Sequence, residues 1–168
     1  MKILQARLRA YRTVRDEVTV DLSNGLTFVG PNNVGKTNLM KGLRLFFSGY
    51  DNAFEYQRSA DLSFGQSKLL TSVALTFEIG AEDVQIRDEL SQILGLLEIP
   101  DSQLDEVTVY LTFSSSSNPS YRVFPNSKRP KDASAKSEYS RLERQFVSNL
   151  LAMFSVHYIP SDKSTEQL

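Results

Sequence analysis

The sequence predicts a mixed α/β lobe, and three observations carry that expectation. An apolar run, Leu26 to Gly30, leads into a loop bounded by Gly30 and Gly35, and an apolar-striped segment follows from Lys36 to Phe47. Strand-like alternation and helix-like spacing then take turns along the chain, as in layered α/β architectures. At 168 residues the chain suits one domain or one lobe of a larger one, taken as a single unit over 1–168.

Each element has its own reason. Ile3, Gln5, Arg7 and Arg9 alternate with Leu4, Ala6, Leu8 and Ala10, which is strand periodicity with one small apolar face. Asp16 to Leu22 is β-branched and alternating, and Ser23-Asn24-Gly25 is a tight-turn signal. Leu26 to Gly30 is apolar on both sides, as a central strand buried on both faces would be. Leu39, Leu43, Phe46 and Phe47 recur at helical spacing with Lys41 and Arg44 turned outward. That predicts a helix over about Lys36 to Phe47, stopped by Ser48 to Asn52.

Leu69 to Ile79 reads as a strand. Val84, Leu90, Ile93, Leu94 and Leu97 give a helix with Pro100 beyond its end. Asp105 to Phe113 and Ser120 to Pro125 pair as a hairpin across a serine-rich stretch. Residues 126–136 are a loop by composition, with room for mobility. Leu142, Phe146, Val147 or Leu150, and Met153 or Phe154 form the stripe of a helix over 137–154. Ser155 to Pro160 reads as a last strand before a polar tail. No internal repeat is visible.

Composition removes several function classes. Lys+Arg 19 against Asp+Glu 20 leaves a net charge of −1, so no basic excess advertises nucleic acid or an anionic membrane. The absence of cysteine excludes disulfides and thiolate metal sites. A single histidine, His157, argues against a histidine metal cluster or a Ser-His-Asp triad. No apolar run approaches the roughly 20 residues of a membrane span, and the N-terminus is neither signal nor transit peptide. A soluble cytoplasmic protein is expected.

One motif is strong. Gly30-Pro31-Asn32-Asn33-Val34-Gly35-Lys36-Thr37 fits G-x-x-x-x-G-K-[ST] in full. Backbone N–H groups must converge on phosphate oxygens, and a Cβ at Gly30 or Gly35 would obstruct that approach. The helix beginning near Lys36 aims unpaired N–H groups and its positive dipole end at the same anion. Lys36 would reach the β- and γ-phosphates, and the Thr37 hydroxyl would ligate Mg²⁺. The preceding strand and following helix supply the context that a chance glycine turn lacks.

The stretch from Leu8 to Phe47, with Tyr11-Arg12 ahead of a hairpin and Gly30 to Asn38 as the loop, resembles the amino-terminal lobe of SMC/RecF/OLD-type ATPases, relatives of the ABC ATPases. The likeness is close over Met1 to Phe47 and loose beyond. Asn32-Asn33 and Val34 are most similar to the OLD-like (overcoming-lysogenisation-defect) ATPases and related bacterial anti-phage proteins. Val156 to Ser164 is similar to the strand and loop after the long helix of those proteins. The resemblance implies a P-loop NTPase lobe of ABC/SMC type: a mixed sheet, a Walker A helix, and an additional β-hairpin and helices. It implies ATP and Mg²⁺ as cofactors, held by Gly30, Asn32, Asn33, Val34, Gly35, Lys36, Thr37 and Asn38. It also implies Arg12 beside the phosphates or base, and a Q-loop glutamine near the metal. An exposed charge at a strand end is the competing reading of Arg12. The implied partners are a second lobe or subunit, a second head across sandwiched ATP, DNA and an associated nuclease, with no membrane.

Several other residues invite roles. Leu62-Ser63-Phe64-Gly65-Gln66 is close to the ABC signature L-S-G-G-Q, but no helix and no Asp-Glu strand follow it, so it is rejected as a signature. Gln66 remains a Q-loop candidate beside Mg²⁺, with a surface turn as the preferred reading. Gln145 reads as a solvated helix residue and His157 as a near-surface strand residue or a satisfied core histidine. Glu82 and Asp83 read as acids at a helix start, with Glu78 completing no convincing metal triad. Lys128, Arg129, Lys131, Lys136, Arg141 and Arg144, interleaved with Asp132, Glu138 and Glu143, read as a solvated face. DNA-backbone contact is the lesser reading.

What is missing shapes the functional expectation. Binding phosphates is preorganisation, whereas hydrolysis also needs a positioned water and charge neutralisation. The chain lacks an apolar strand ending in Asp-Glu, so it is expected to bind ATP without turning it over efficiently alone. No catalytic residue is assigned within it. Three hypotheses follow: the first lobe of a DNA-acting ATPase, a stand-alone ATP-sensing module, or a small P-loop kinase relying on Arg58 and Asp61.

Overall fold

The computed structural model describes residues 1–25, 29 and 35–157. Among the described residues five strands form one sheet in the order β2-β1-β3-β4-β5. They are β1 (Lys2–Arg9), β2 (Val18–Asp21), β3 (Ser72–Glu78), β4 (Glu106–Phe113) and β5 (Pro119–Val123). All four pairings are antiparallel. The helices are α1 (Lys36–Leu45), the single turn α2 (Arg58–Asp61), α3 (Val84–Leu97) and α4 (Ala133–Ala152).

Register explains the single core. Val20, Ala6, Leu75, Val109 and Val123 lie in one row across all five strands, and Leu8, Val73, Leu111 and Tyr121 form the next. All nine are buried, because side chains on one face of a pleated sheet recur every second residue. Phe46, Ile93, Leu94, Phe146 and Leu150 of the helical layer join the same cluster. The opposite face is polar: Thr76 and Thr108 share a hydroxyl hydrogen bond at 2.9 Å, and Arg7 donates to the Tyr110 hydroxyl at 2.8 Å.

Most predicted elements are present with shifted ends. The register slips between Ile3 and Gln5, so Ile3 pairs opposite Phe77 and packs with the core, against the simple alternation expected there. Helix α1 ends at Leu45 and tightens into a 3₁₀ turn over Phe46–Ser48. Helix α4 starts at Ala133, earlier than predicted, because Asp132 caps it by accepting from the Ala135 amide at 3.0 Å. The loop expected over 126–136 therefore ends in helix.

The predicted strand Leu26–Gly30 lies outside the described residues except for Val29. There the expectation of burial fails, since Val29 is 89% exposed. The five described strands pair among themselves and none covers it. Of the expected strand 155–160, Ser155 to His157 carry no strand and the remainder lies outside the described residues.

Two devices hold α1 on the sheet. At Gly42 an added Cβ would collide with Leu8 and Tyr11, so glycine there permits close approach of the helix to β1. At the far end, the Tyr121 hydroxyl donates to the Phe46 carbonyl at 2.6 Å and accepts from the Gly49 amide at 3.1 Å. The helix is thereby pinned at its middle and its C-terminal end, and its N-terminal end is presented at the edge of the core.

Candidate nucleotide-binding site

Gly30, Asn32, Asn33 and Val34 lie outside the described residues; Gly35 to Asn38 form the described part of the loop-helix junction. Gly35 is the N-cap of α1 at φ 93°, a left-handed conformation that favours glycine. A Cβ there would stand 2.9 Å from the Thr13 hydroxyl. No side chain caps the helix start, and its first turn carries no acid. Lys36 opens the helix, and Thr37 beside it is exposed. A glycine N-cap without a side chain, the positive end of the helix dipole and a lysine at its first position meet at one spot, an arrangement suited to an anion.

The strap between β1 and β2 reaches this spot. Tyr11 and Val14 exchange backbone hydrogen bonds at 2.9 and 2.8 Å, which turns the chain tightly through Arg12 and Thr13. Asn38 donates to the Thr13 hydroxyl at 3.1 Å. Thr13 thus touches both sides of the Gly35 junction, a contact that nothing in the motif announces. Arg12, its neighbour, sits at φ 49° with its backbone amide on the Asp61 carbonyl at 2.6 Å and its Nε on Asp61 Oδ1 at 2.8 Å.

Asp61 is buried, and its second oxygen accepts from the Gln57 amide at 2.9 Å. Burial works against the Arg12 charge, but the Asp61 hydrogen bond and the Tyr11 and Asp61 charges more than offset it, so its pKa is raised. Burial pushes the Tyr11 phenol up to about 12. Arg12 is therefore a fixed cation one residue from the cradle, with its Nε committed to Asp61.

The other candidates fall elsewhere. Gln66 lies in a turn, its amide donating to the Ser63 carbonyl at 3.1 Å, and lines a cleft of about 600 Å³ with Arg58 and Ser115 to Ser117. Thr37 is not part of that lining. The L-S-F-G-Q stretch opens no helix, and its Phe64 is 94% exposed. Arg58 donates to the Leu69 and Ser67 carbonyls at 2.9 and 2.7 Å and Asp61 holds Arg12, so both kinase candidates have structural duties. His157 is exposed and bonds Ser155 at 2.9 Å. Asp83 pairs with the Met1 ammonium at 2.8 Å, while Glu78 sits exposed at the end of β3.

Two readings need correction. Gln145 is not merely solvated: it donates to the buried Glu89 at 2.9 Å and so ties α4 to α3. Glu143, expected on a solvated face, is 3% exposed and accepts from the Val123 amide and the Tyr139 hydroxyl, each at 2.8 Å.

A family model described as AAA ATPase domain matches residues 1–165, nearly the whole chain. The chain belongs to that ATPase family. No curated protein matches it. A solved structure from work on ATP-driven dimerisation and DNA-stimulated activation of SMC ATPases is 19% identical, with a TM-score of 0.53, covering 92% of this chain and 81% of the other. The ATPase domain described here thus has the SMC ATPase fold, and ATP is its nucleotide. Two further matches are the SMC head domain from Thermotoga maritima (16% identical, TM-score 0.41) and an SMC head bound to the C-winged-helix domain of ScpA (22%, 0.47). Each is covered over 84% of this chain, and the chain spans only 42% and 41% of their lengths.

The residues fit the implied nucleotide. Gly35 keeps open a cradle that a Cβ would close, and the helix start offers donors without a competing acid. For Mg²⁺ the chain offers the exposed Thr37 hydroxyl. Among the described residues no group of three acidic or histidine side chains could hold a metal by itself.

Proposed function

We propose that this ATPase domain is the Mg-ATP-binding lobe of a DNA-acting ATPase head, and that a second lobe or partner subunit supplies the acid pair and signature for hydrolysis. The observation that carries the reading is the junction itself: an uncapped, acid-free helix start behind Gly35, with Thr13 bridging to Asn38 and Arg12 held alongside. The Gly30–Asn38 loop cradles the phosphates, Lys36 neutralises them, and Arg12 adds a cation from the strap. Mg²⁺, when bound, would spread phosphate charge. The Thr37 hydroxyl would be its ligand from this chain; Gln66, in a different cleft, would not reach it. Asp61 acts on the nucleotide only through Arg12, by fixing that side chain.

Ligand-driven pairing of two heads extends the same reading, with each head completing the nucleotide site of the other. The solved SMC ATPase described in terms of ATP-driven dimerisation and DNA stimulation supports it by analogy of fold. Asn32-Asn33-Val34 points within this group to OLD-like proteins, hence to phage defence or DNA repair in the cytoplasm with a nuclease partner. Residues 1–168 act as one lobe in this scheme.

Steady-state phosphate release from the purified chain with Mg-ATP tests the division of labour. The expected result is no turnover above background despite binding. Brisk turnover abolished by Lys36→Ala would place a catalytic acid within this chain and end the two-lobe reading.

A further inference from the structure

At the end of the molecule built by β5 and α4, Arg122, Arg129 and Lys136 line a cleft of about 350 Å³ together with Pro125, Tyr139 and Ser140. Glu143 organises it from within. Arg122 donates to Glu143 Oε2 at 3.1 Å, and Arg129 donates through both terminal nitrogens to Oε1 at 3.3 Å. Arg129 also lies over the Tyr139 ring, 4.1 Å from its centroid.

The charges do not balance. One carboxylate faces two guanidinium groups, and Lys136 adds a third cation with no ion pair among the described residues. The nearby Asp132 is occupied as the cap of α4. A buried carboxylate needs one counter-charge to be tolerated; the surplus here has no internal use. Both arginine side chains keep surface open to solvent, 53% for Arg122 and 29% for Arg129, so outward N–H bonds remain available on groups already held in place. Preordered guanidinium forks with a mobile ammonium suit a tetrahedral oxyanion.

We propose that this cleft is a second anion site, for a phosphate group, separate from the P-loop, since none of its lining residues belongs to α1 or the strap. The phosphate comes either from the backbone of a nucleic-acid strand or from a free phosphate compound. The chemistry is shared, and the experiment separates the sources.

The test uses the full chain carrying Lys36→Ala, so that the P-loop does not contribute. A fluorescent single-stranded oligodeoxynucleotide is titrated by anisotropy, and inorganic pyrophosphate by calorimetry, with Lys136→Gln and Arg122→Gln added in turn. Lys136 is exposed, so its substitution leaves the fold intact. At low salt each variant is expected to weaken the bound ligand about fivefold or more, because a charge-assisted contact is lost. For the oligonucleotide, the slope of log affinity against log salt should fall by about 0.7 per cation removed.

Oligonucleotide binding that responds in this way assigns the site to a strand. A response of pyrophosphate alone assigns it to a free phosphate compound. No binding of either ligand, or binding that both variants leave unchanged, overturns the proposal. ATP binding by the chain with Lys36 intact is read separately, so failure here does not touch the P-loop reading.

Discussion

Two helix starts in this molecule are built in opposite ways. Helix α4 is closed by its own chain: Asp132 caps it, and in mid-helix the buried Glu143 gathers the Val123 amide, Tyr139 and two arginines. Helix α1 is left open: a left-handed glycine stands at its N-cap, no side chain caps it, and no acid occupies its first turn. The first arrangement meets the helix start with a side chain of its own and so supports stability. The second has a glycine with no capping side chain and no acid in its first turn, which suits an anion at the positive end of the helix.

The largest effect in breaking this contrast is expected at Glu143, in the middle of α4. Glu143→Ala strands the Val123 amide and leaves two guanidinium groups without their carboxylate, and loss of one partner of a buried charge network costs roughly 3–5 kcal/mol. Chemical denaturation should show the midpoint falling steeply, and a change under about 1 kcal/mol would mean that the arginines are satisfied by solvent.

Next comes the seat of α1. Gly42→Leu forces side-chain atoms into Leu8 and Tyr11, and overpacking of this kind costs about 1–3 kcal/mol. Because the helix shifts on the sheet, ATP affinity should fall together with thermal stability. Stability loss with unchanged affinity would separate the helix seat from the cradle.

The caps themselves sharpen the comparison. Asp132→Ala should cost about 1 kcal/mol of stability and leave ATP binding unaltered. Asn38→Asp puts a negative charge in the first turn of α1, worth about 0.3–1 kcal/mol to a helix start, and removes the donor to Thr13. ATP affinity should drop on the order of tenfold, since like charge now faces the phosphates. A variant that binds ATP as well as the parent would show that the helix start is not where the phosphates sit.

The smallest effect is a pH dependence at the Met1–Asp83 pair. The Met1 ammonium, as hydrogen-bond donor, holds the Asp83 carboxyl below its ordinary 3.8, and Asp83 in turn raises the ammonium above its ordinary 8.0. The depressed carboxyl contributes stability above 3.8 that is lost as pH falls through its folded value. The raised ammonium contributes fully below 8.0 and loses its share as pH rises through its folded value. The stability gap between the parent and Asp83→Asn should be widest between those limits and narrow on both sides, as read from denaturation midpoints across pH. A gap independent of pH would remove the pair as its cause.

Much of this was legible in the residues, and the exceptions have physical reasons. Alternation located β1 and β2 because one face of the sheet is buried and the other is polar, whereas β3, buried along Val73 to Phe77, was legible as an apolar run. The P-loop motif located α1 because a phosphate cradle tolerates few residue types at fixed spacing. Glu143 was misjudged although it is readable in retrospect: positions 139, 142, 143, 146, 147 and 150 share one helix face, and a charge inside that stripe signals a satisfied buried group. Gly42 had its signal too, a glycine within a helix. Asp61 and Thr13 had none, since Asp61 is 49 residues from Arg12 and Thr13 is 25 from Asn38. The burial expected for Val29 depends on strands that the described sheet does not supply.

The central claim is that the open start of α1 is a nucleotide phosphate site within this chain. Calorimetric titration of the 168-residue chain with Mg-ATP, beside its Lys36→Ala variant, tests it most directly. The account predicts one-to-one binding by the parent that Lys36→Ala weakens at least about tenfold, through loss of a charge-assisted phosphate contact. Equal binding by both proteins would contradict it and move the nucleotide away from the helix that this fold leaves uncapped.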